Sequence, residues 1–289
     1  MLRFEQDENR SAYADVRRVY VYGIVRAEDG EEISLPPLDG LSGFPVRTIP
    51  GNGMAALVTS LETSAAGVPF EEELKDPGRA KSLILDHHSV LQRLIGERTV
   101  LPMRFGALFA GDEKVSNALD EHRHVLLEAL ERVEGAREWG VKIYCDLSVL
   151  RSHLGEGSPA ILAAQGELAA AKEGRAFFLH RRIARLSEEE ADQAIAQCVE
   201  ASRQRLRAEA RAETAMKLQS ADVHGRSDEM VWNGTLLVAK PAEKRFFASV
   251  VELTHIHGPR GFRYEPNGPW PPFSFAACRL GEGEDDSAN

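Results

Sequence analysis

At 289 residues, with 43% hydrophobic and 28% charged residues, the chain has the composition of a globular protein and the length for two domains. Its formal net charge of −10 excludes a general nucleic-acid binder, which needs a basic face for phosphates, and opposes adsorption to anionic lipid. No run of about 18 apolar residues could span a membrane. The polar opening MLRFEQDENRSAYADVRR lacks the apolar centre of a signal peptide, so a cytoplasmic protein is expected. Cys145, Cys198 and Cys278 are widely spaced and odd in number, which suits buried small hydrophobes better than disulfides or a zinc site.

Residues 1–16 are polar and are expected to fray. Val19 to Val25, VYVYGIV, is apolar on both parities, the pattern of a central strand covered on both faces. Glu28 to Gly43 reads as a loop. Two β-prone runs, Phe44 to Ile49 and Met54 to Ser60, flank Pro50-Gly51-Asn52-Gly53 and predict a hairpin. From Arg79 to Ile95 the positions Leu83, Ile84, Leu91, Leu94 and Ile95 trace a helical face that also carries His87 and His88. Adjacent helical residues point about 100° apart, so this pair makes a poor metal chelate. One semi-buried, hydrogen-bonded histidine and one exposed one is the preferred reading.

Thr99 to Phe109, TVLPMRFGALF, organises the first half of the chain. Val100, Leu101 and Met103 suit a short buried strand, and Pro102 places it at a sheet edge. Phe105 is a packing anchor, Gly106 permits a bend, and Arg104 must reach water or a partner. Asp112 is expected to cap a helix whose core face is Val115, Leu119, His122, Leu126, Leu130 and Val133, ending at Gly135.

Trp139 to Asp146 alternates as a half-buried strand. Ser148 to Gly157 reads as a turn region, followed by helix from about Ser158 to Leu186. Ser187 and Glu190 fit a capping box for a further helix running to Gln219, laced by Arg205–Glu209 and Glu213–Lys217 pairs. Strands are expected around Ala221 to Arg226 and from Met230 to Ala239. A helix after Pro241 would bury Phe246, Phe247, Val250, Val251 and Thr254. The return through Gly261 to Tyr264 leads into Gly268 to Ala276, where Phe273 and Phe275 resume strand spacing. The acidic end GEGEDDSAN is expected to be disordered.

These elements predict an α+β protein with a small mixed α+β domain over residues 1–135. Residues 136–289 would form a ferredoxin-like βαββαβ domain with an inserted helix and the acidic tail. No phosphate loop, dinucleotide fingerprint, nucleophile elbow or His-Glu-x-x-His is present, so no catalytic residue, cofactor or metal ligand is assigned. His255-x-His257 near Cys278 is the best metal candidate and lacks a clear third and fourth ligand. Trp270, Phe273 and Phe275 allow two readings: rings closing the core, or an aromatic-proline lip for an apolar partner.

Taken in order, VYVYGIV, GLSGFPVRTI with the hairpin to AALVTS, the His87 helix, TVLPMRFGALF, EWGVKIY and GPWPPFSF cover nearly the whole chain. Together they resemble the GvpL/GvpF gas vesicle protein family. The resemblance implies a two-domain α+β protein with a ferredoxin-like second domain. It also implies a minor component or assembly accessory of gas vesicles that binds the small hydrophobic shell protein, and no enzymatic activity. It does not separate L members from F members. Other accessory proteins are further candidate partners, with neither nucleic acid nor membrane among them. A shell subunit exposes an apolar face that would aggregate in water. Phe105, Trp270 and Phe273 are the candidate residues for holding it. The competing reading is a cytosolic enzyme or small-molecule sensor on ferredoxin-like modules, and a third is a permanent wall component.

Overall fold

The computed structural model describes residues 18–28, 33–61, 70–220 and 226–276. Residue contacts divide the chain into two compact units, Met1–Arg137 with Trp270–Asn289, and Glu138–Pro269. The expected division at residue 135 assigned the whole C-terminal segment to the second domain. Among the described residues, 270–276 group by contacts with the first unit.

In the first unit, β1 (Arg18–Arg26) is buried at every interior position, as its two-sided apolar pattern requires. It pairs antiparallel with β3 (Met54–Leu61), which pairs in turn with β2 (Arg47–Gly51) through the expected hairpin. Gly53, with φ of +82°, supplies the left-handed turn residue. Along the other edge of β1 run β4 (Val100–Pro102) and β5 (Leu108–Ala110), both antiparallel to it. Pro102 therefore sits on an edge strand, as its missing N–H demands. Between β4 and β5 the chain bows out at Arg104, Phe105 and Gly106. It stays tethered to β1 by Met103 N–H to the Tyr22 carbonyl and Val21 N–H to the Ala107 carbonyl, both 2.9 Å.

The short α1 (Phe70–Glu73) precedes α2 (Pro77–Leu94), which begins on an Asp76 cap and packs Leu83, His87, Val90, Leu91 and Leu94 against the Tyr20–Tyr22 face of β1. Ile84 points outward rather than into the core, correcting the predicted stripe. The helix predicted from Asp112 is broken at His122 into α3 (Asp112–Glu121) and α4 (Arg123–Val133). Asp112 is the first helical residue and not the cap. Its carboxylate instead receives the Arg47 guanidinium at 2.6 and 2.9 Å, and Gly111 occupies the cap position.

In the second unit, β6 (Ala136–Cys145) is followed by α5 (Leu147–Gly157), α6 (Pro159–Ala169) and α7 (Glu173–Arg207). The predicted turn at Ser148 to Gly157 is thus a helix. Asp146 caps it by accepting from the backbone N–H groups of Ser148 and Val149. Ser187 lies inside the 35-residue α7 and caps nothing. The cap at this end of the unit is Ser158, whose hydroxyl accepts from Ile161 N–H and donates to the Glu190 carboxylate.

α7 stops at Arg207, well before Gln219, and β7 (Ala212–Ala215) follows. Pairing with β8 (Glu229–Ala239) overrides the helical propensity of this Ala- and Glu-rich stretch. Glu213 consequently pairs across to Arg203 and Arg207, not along a helix to Lys217. Of the strand predicted at Ala221 to Arg226, residues 221–225 lie outside the described residues, as do Cys278 and the acidic tail. α8 (Glu243–His257) buries Phe246, Ser249, Val250 and Leu253, while Val251 and Thr254 face out, correcting that stripe as well. β9 (Phe262–Trp270) closes the sheet in the order β7-β8-β6-β9, and Phe273 and Phe275 lie in a turn beyond it, not on a strand. Side chains of α5, α7 and α8 share one core with β6, β8 and β9, and the free thiols Cys145 and Cys198 are buried within it.

Candidate functional site

Tyr20 and Tyr22, two residues apart on β1, send their rings into the α2 side of the sheet and bring hydroxyls into an apolar core. Buried hydroxyls need partners. Tyr22 donates to Thr59 Oγ1 at 2.9 Å and accepts from Leu41 N–H at 2.7 Å. Tyr20 accepts from Gly106 N–H at 3.3 Å, which leaves its proton for His87 Nδ1 at 2.7 Å. Burial raises the pKa of both phenols, so both stay protonated.

His87 is therefore the centre of an aromatic cluster. Its ring stacks on Tyr22 at 5.7 Å and meets Phe105 edge-on at 5.8 Å and Phe273 at 6.2 Å. Accepting at Nδ1 puts the ring proton on Nε2, which is buried without a well-aligned partner. Burial lowers the His87 pKa to about 4, reinforced by neighbouring His88 and partly offset by the Met103 backbone carbonyl. A buried, neutral, hydrogen-bonded imidazole fits the structural role expected from the sequence.

His88, the next residue on α2, turns toward the surface and contacts Phe273 at 5.3 Å and Trp270 at 6.4 Å. Phe105 also meets Tyr20 and Phe70. The structure thus brings Phe105 and Phe273 together around His87 and joins Trp270 to them through His88. Phe105 and Phe273 are half-buried, whereas Trp270 is 42% exposed. Pro271 and Pro272 are buried beside it and hold the segment extended. The void bordered by Trp270, Pro272, Ile95 and Val133 is about 10 Å³, room for roughly one water. This is a surface built on a rigid aromatic base rather than a ligand pocket.

The residues that sequence reasoning missed here are Tyr20 and Tyr22. Their signal was the alternation inside VYVYGIV, where two hydroxyls on one face of a central strand call for buried partners. For metal chemistry, no group of three or more His, Cys, Asp or Glu side chains placed to hold an ion exists among the described residues. His255 and His257 occupy the last turn of α8.

The chain matches, over residues 18–277, the family described as gas vesicle synthesis protein GvpL/GvpF. It belongs to the GvpL/GvpF family. Among its relatives, gas vesicle protein L of Streptomyces sp. (strain CB03234) is 29% identical over 267 residues, covering 90% of this chain and 93% of that one. Gas vesicle protein F of Haloferax mediterranei is 25% identical over 267 residues, covering 91% and 95%. The fold is similar to crystal structures of GvpF from Anabaena sp. PCC7120 (TM-score 0.66, 18% identity, covering 91% of this chain and 99% of that one) and from Microcystis aeruginosa (TM-score 0.62, 20% identity, covering 90% and 99%). The GvpL/GvpF membership accounts for the separated motifs in their order. As in the sequence, no helix among the described residues is long and apolar enough to cross a membrane.

Proposed function

We propose that this GvpL/GvpF protein is a gas vesicle accessory that binds the small hydrophobic shell protein, limits its aggregation and supports vesicle nucleation. The observation that carries this reading is the convergence of Phe105, Phe273 and Trp270 on one aromatic base with the indole left exposed. An exposed tryptophan beside half-buried rings offers apolar area at little entropic cost, which suits an apolar partner segment. The net charge of −10 keeps loaded copies apart and in solution. The protein acts in the cytoplasm and at the vesicle, performs no catalysis, and meets other vesicle accessory proteins there, with no role for nucleic acid or membrane. The second unit is a ferredoxin-like module: its chain order, β6, helices, β7, β8, α8, β9, and its strand order both fit that arrangement. The two folding domains of the chain divide near residue 135, as read from the sequence, and the grouping of residues 270–276 with the first unit moves the end of the second domain to about residue 269.

Tagged protein and its Trp270→Ser variant, each incubated with detergent-diluted shell protein, test the surface. The variant should keep its melting temperature and retain at least about fivefold less shell protein. Equal retention removes Trp270 from the site.

A further inference from the structure

We propose that the cleft at the α5–α6 corner of the second unit binds a free apolar α-amino acid in its zwitterionic form. The cleft measures about 580 Å³, within the usual range of small-molecule sites. Its apolar lining comes from Leu154 near the end of α5 and from Pro159 and Ala160 at the start of α6. Two charges of opposite sign border it: Glu190 of α7, and Arg260 of the short turn Gly258–Arg260 that follows α8. His153 lines the cleft as well and is exposed.

Glu190 and Arg260 are half-buried, yet among the described residues neither has an ion-pair partner, and they do not pair with each other. Glu190 accepts from Ser158 Oγ at 2.6 Å through Oε1, which leaves Oε2 for another donor. Arg260 makes no hydrogen bond among the described residues. Its charge reaches inward, opposing the burial that raises the pKa of Cys198 and Tyr264 and adding to the fall at His257. The turn that carries it is pressed onto the start of α5. Asp146 N–H donates to the Gly261 carbonyl at 2.9 Å, and a Cβ on Gly261 would stand 2.8 Å from the Asp146 carbonyl oxygen.

A guanidinium held partly out of water with no counter-charge costs free energy that a ligand carboxylate recovers, and the same holds in reverse for Glu190. A plain acid would be drawn to Arg260 and repelled by Glu190; a plain amine would meet the opposite pair of forces. A zwitterion satisfies both at once. Its carboxylate lies on Arg260, its ammonium on Glu190 Oε2, and its side chain over Leu154, Pro159 and Ala160.

Saturation-transfer NMR of the full chain titrated with L-leucine tests this site. The controls are 4-methylpentanoate, which lacks the ammonium, and 3-methylbutylamine, which lacks the carboxylate. Leucine should bind with a Kd on the order of 0.1–1 mM, and each control at least about tenfold more weakly. Arg260→Gln and Glu190→Gln should each weaken leucine at least about tenfold while the chain stays folded, since glutamine at 190 can still accept from Ser158. Glu190→Gln should also bind 4-methylpentanoate more tightly than the parent does, which the loss of a merely structural contact would not produce. No transfer to leucine from the folded parent overturns the proposal. So do variants that bind leucine as well as the parent, or a parent that binds 4-methylpentanoate as tightly as leucine.

Discussion

His87 shows how a single side chain ties the aromatic base to the stability of the first unit. Its pKa is lowered from 6.5 to about 4 by burial, so the unfolded chain binds a proton that the folded chain refuses between those values. Stability is therefore complete above about pH 6.5 and falls as pH drops toward 4, by on the order of 3 kcal/mol if the whole shift is expressed. His88, Tyr20 and Tyr22 face the ring, and the tyrosines remain protonated throughout this range. Urea unfolding at pH 7 and pH 5 measures the effect. The parent should lose more stability between the two than His87→Gln does, and equal losses would show that the ring titrates normally in the fold. Of these residues only His87 was singled out from the sequence, whereas Tyr20 and Tyr22 passed as part of an apolar strand. Their meeting was not legible, because 67 residues separate Tyr20 from His87 and only the sheet brings them together.

At the scale of elements, the periodic signals were dependable where burial was two-sided or the turn chemistry was explicit, as in β1 and the Gly53 hairpin. They failed where two local signals competed. Ser187 and Glu190 have the spacing of a capping box, yet α7 runs through them. The spacing records Glu190 reaching Ser158 on another helix instead. Ser158→Ala should cost about 1–2 kcal/mol, because it removes a cap and strands a carboxylate. Ser187→Ala should change stability by less than about 0.5 kcal/mol. Chemical denaturation of both variants checks the pair, and a larger loss at Ser187 would contradict an uninterrupted α7. β7 escaped notice for a related reason: Ala212–Ala215 has helical composition, and only its long-range pairing with β8 makes it a strand. The exposed Phe177–Phe178 pair was not singled out from the sequence, because helical spacing alone does not reveal which face a long helix leaves open.

At the scale of the whole molecule, an acidic chain presents exposed aromatic side chains, among the described residues, at Trp270 in the first unit and at Phe177 and Phe178 in the second. GvpL/GvpF membership supplies the gas vesicle setting. A shell subunit that must line a gas phase has an apolar face with nowhere to go in water, and an accessory that covers it changes its solubility directly. Co-expression of this chain with the small shell protein, scored by the fraction of shell protein left soluble after lysis, therefore tests the central claim most directly. The account predicts a soluble complex that co-purifies with the parent chain and is lost with Trp270→Ser. Shell protein that stays insoluble beside free, folded accessory, or that stays soluble regardless of Trp270, would contradict it.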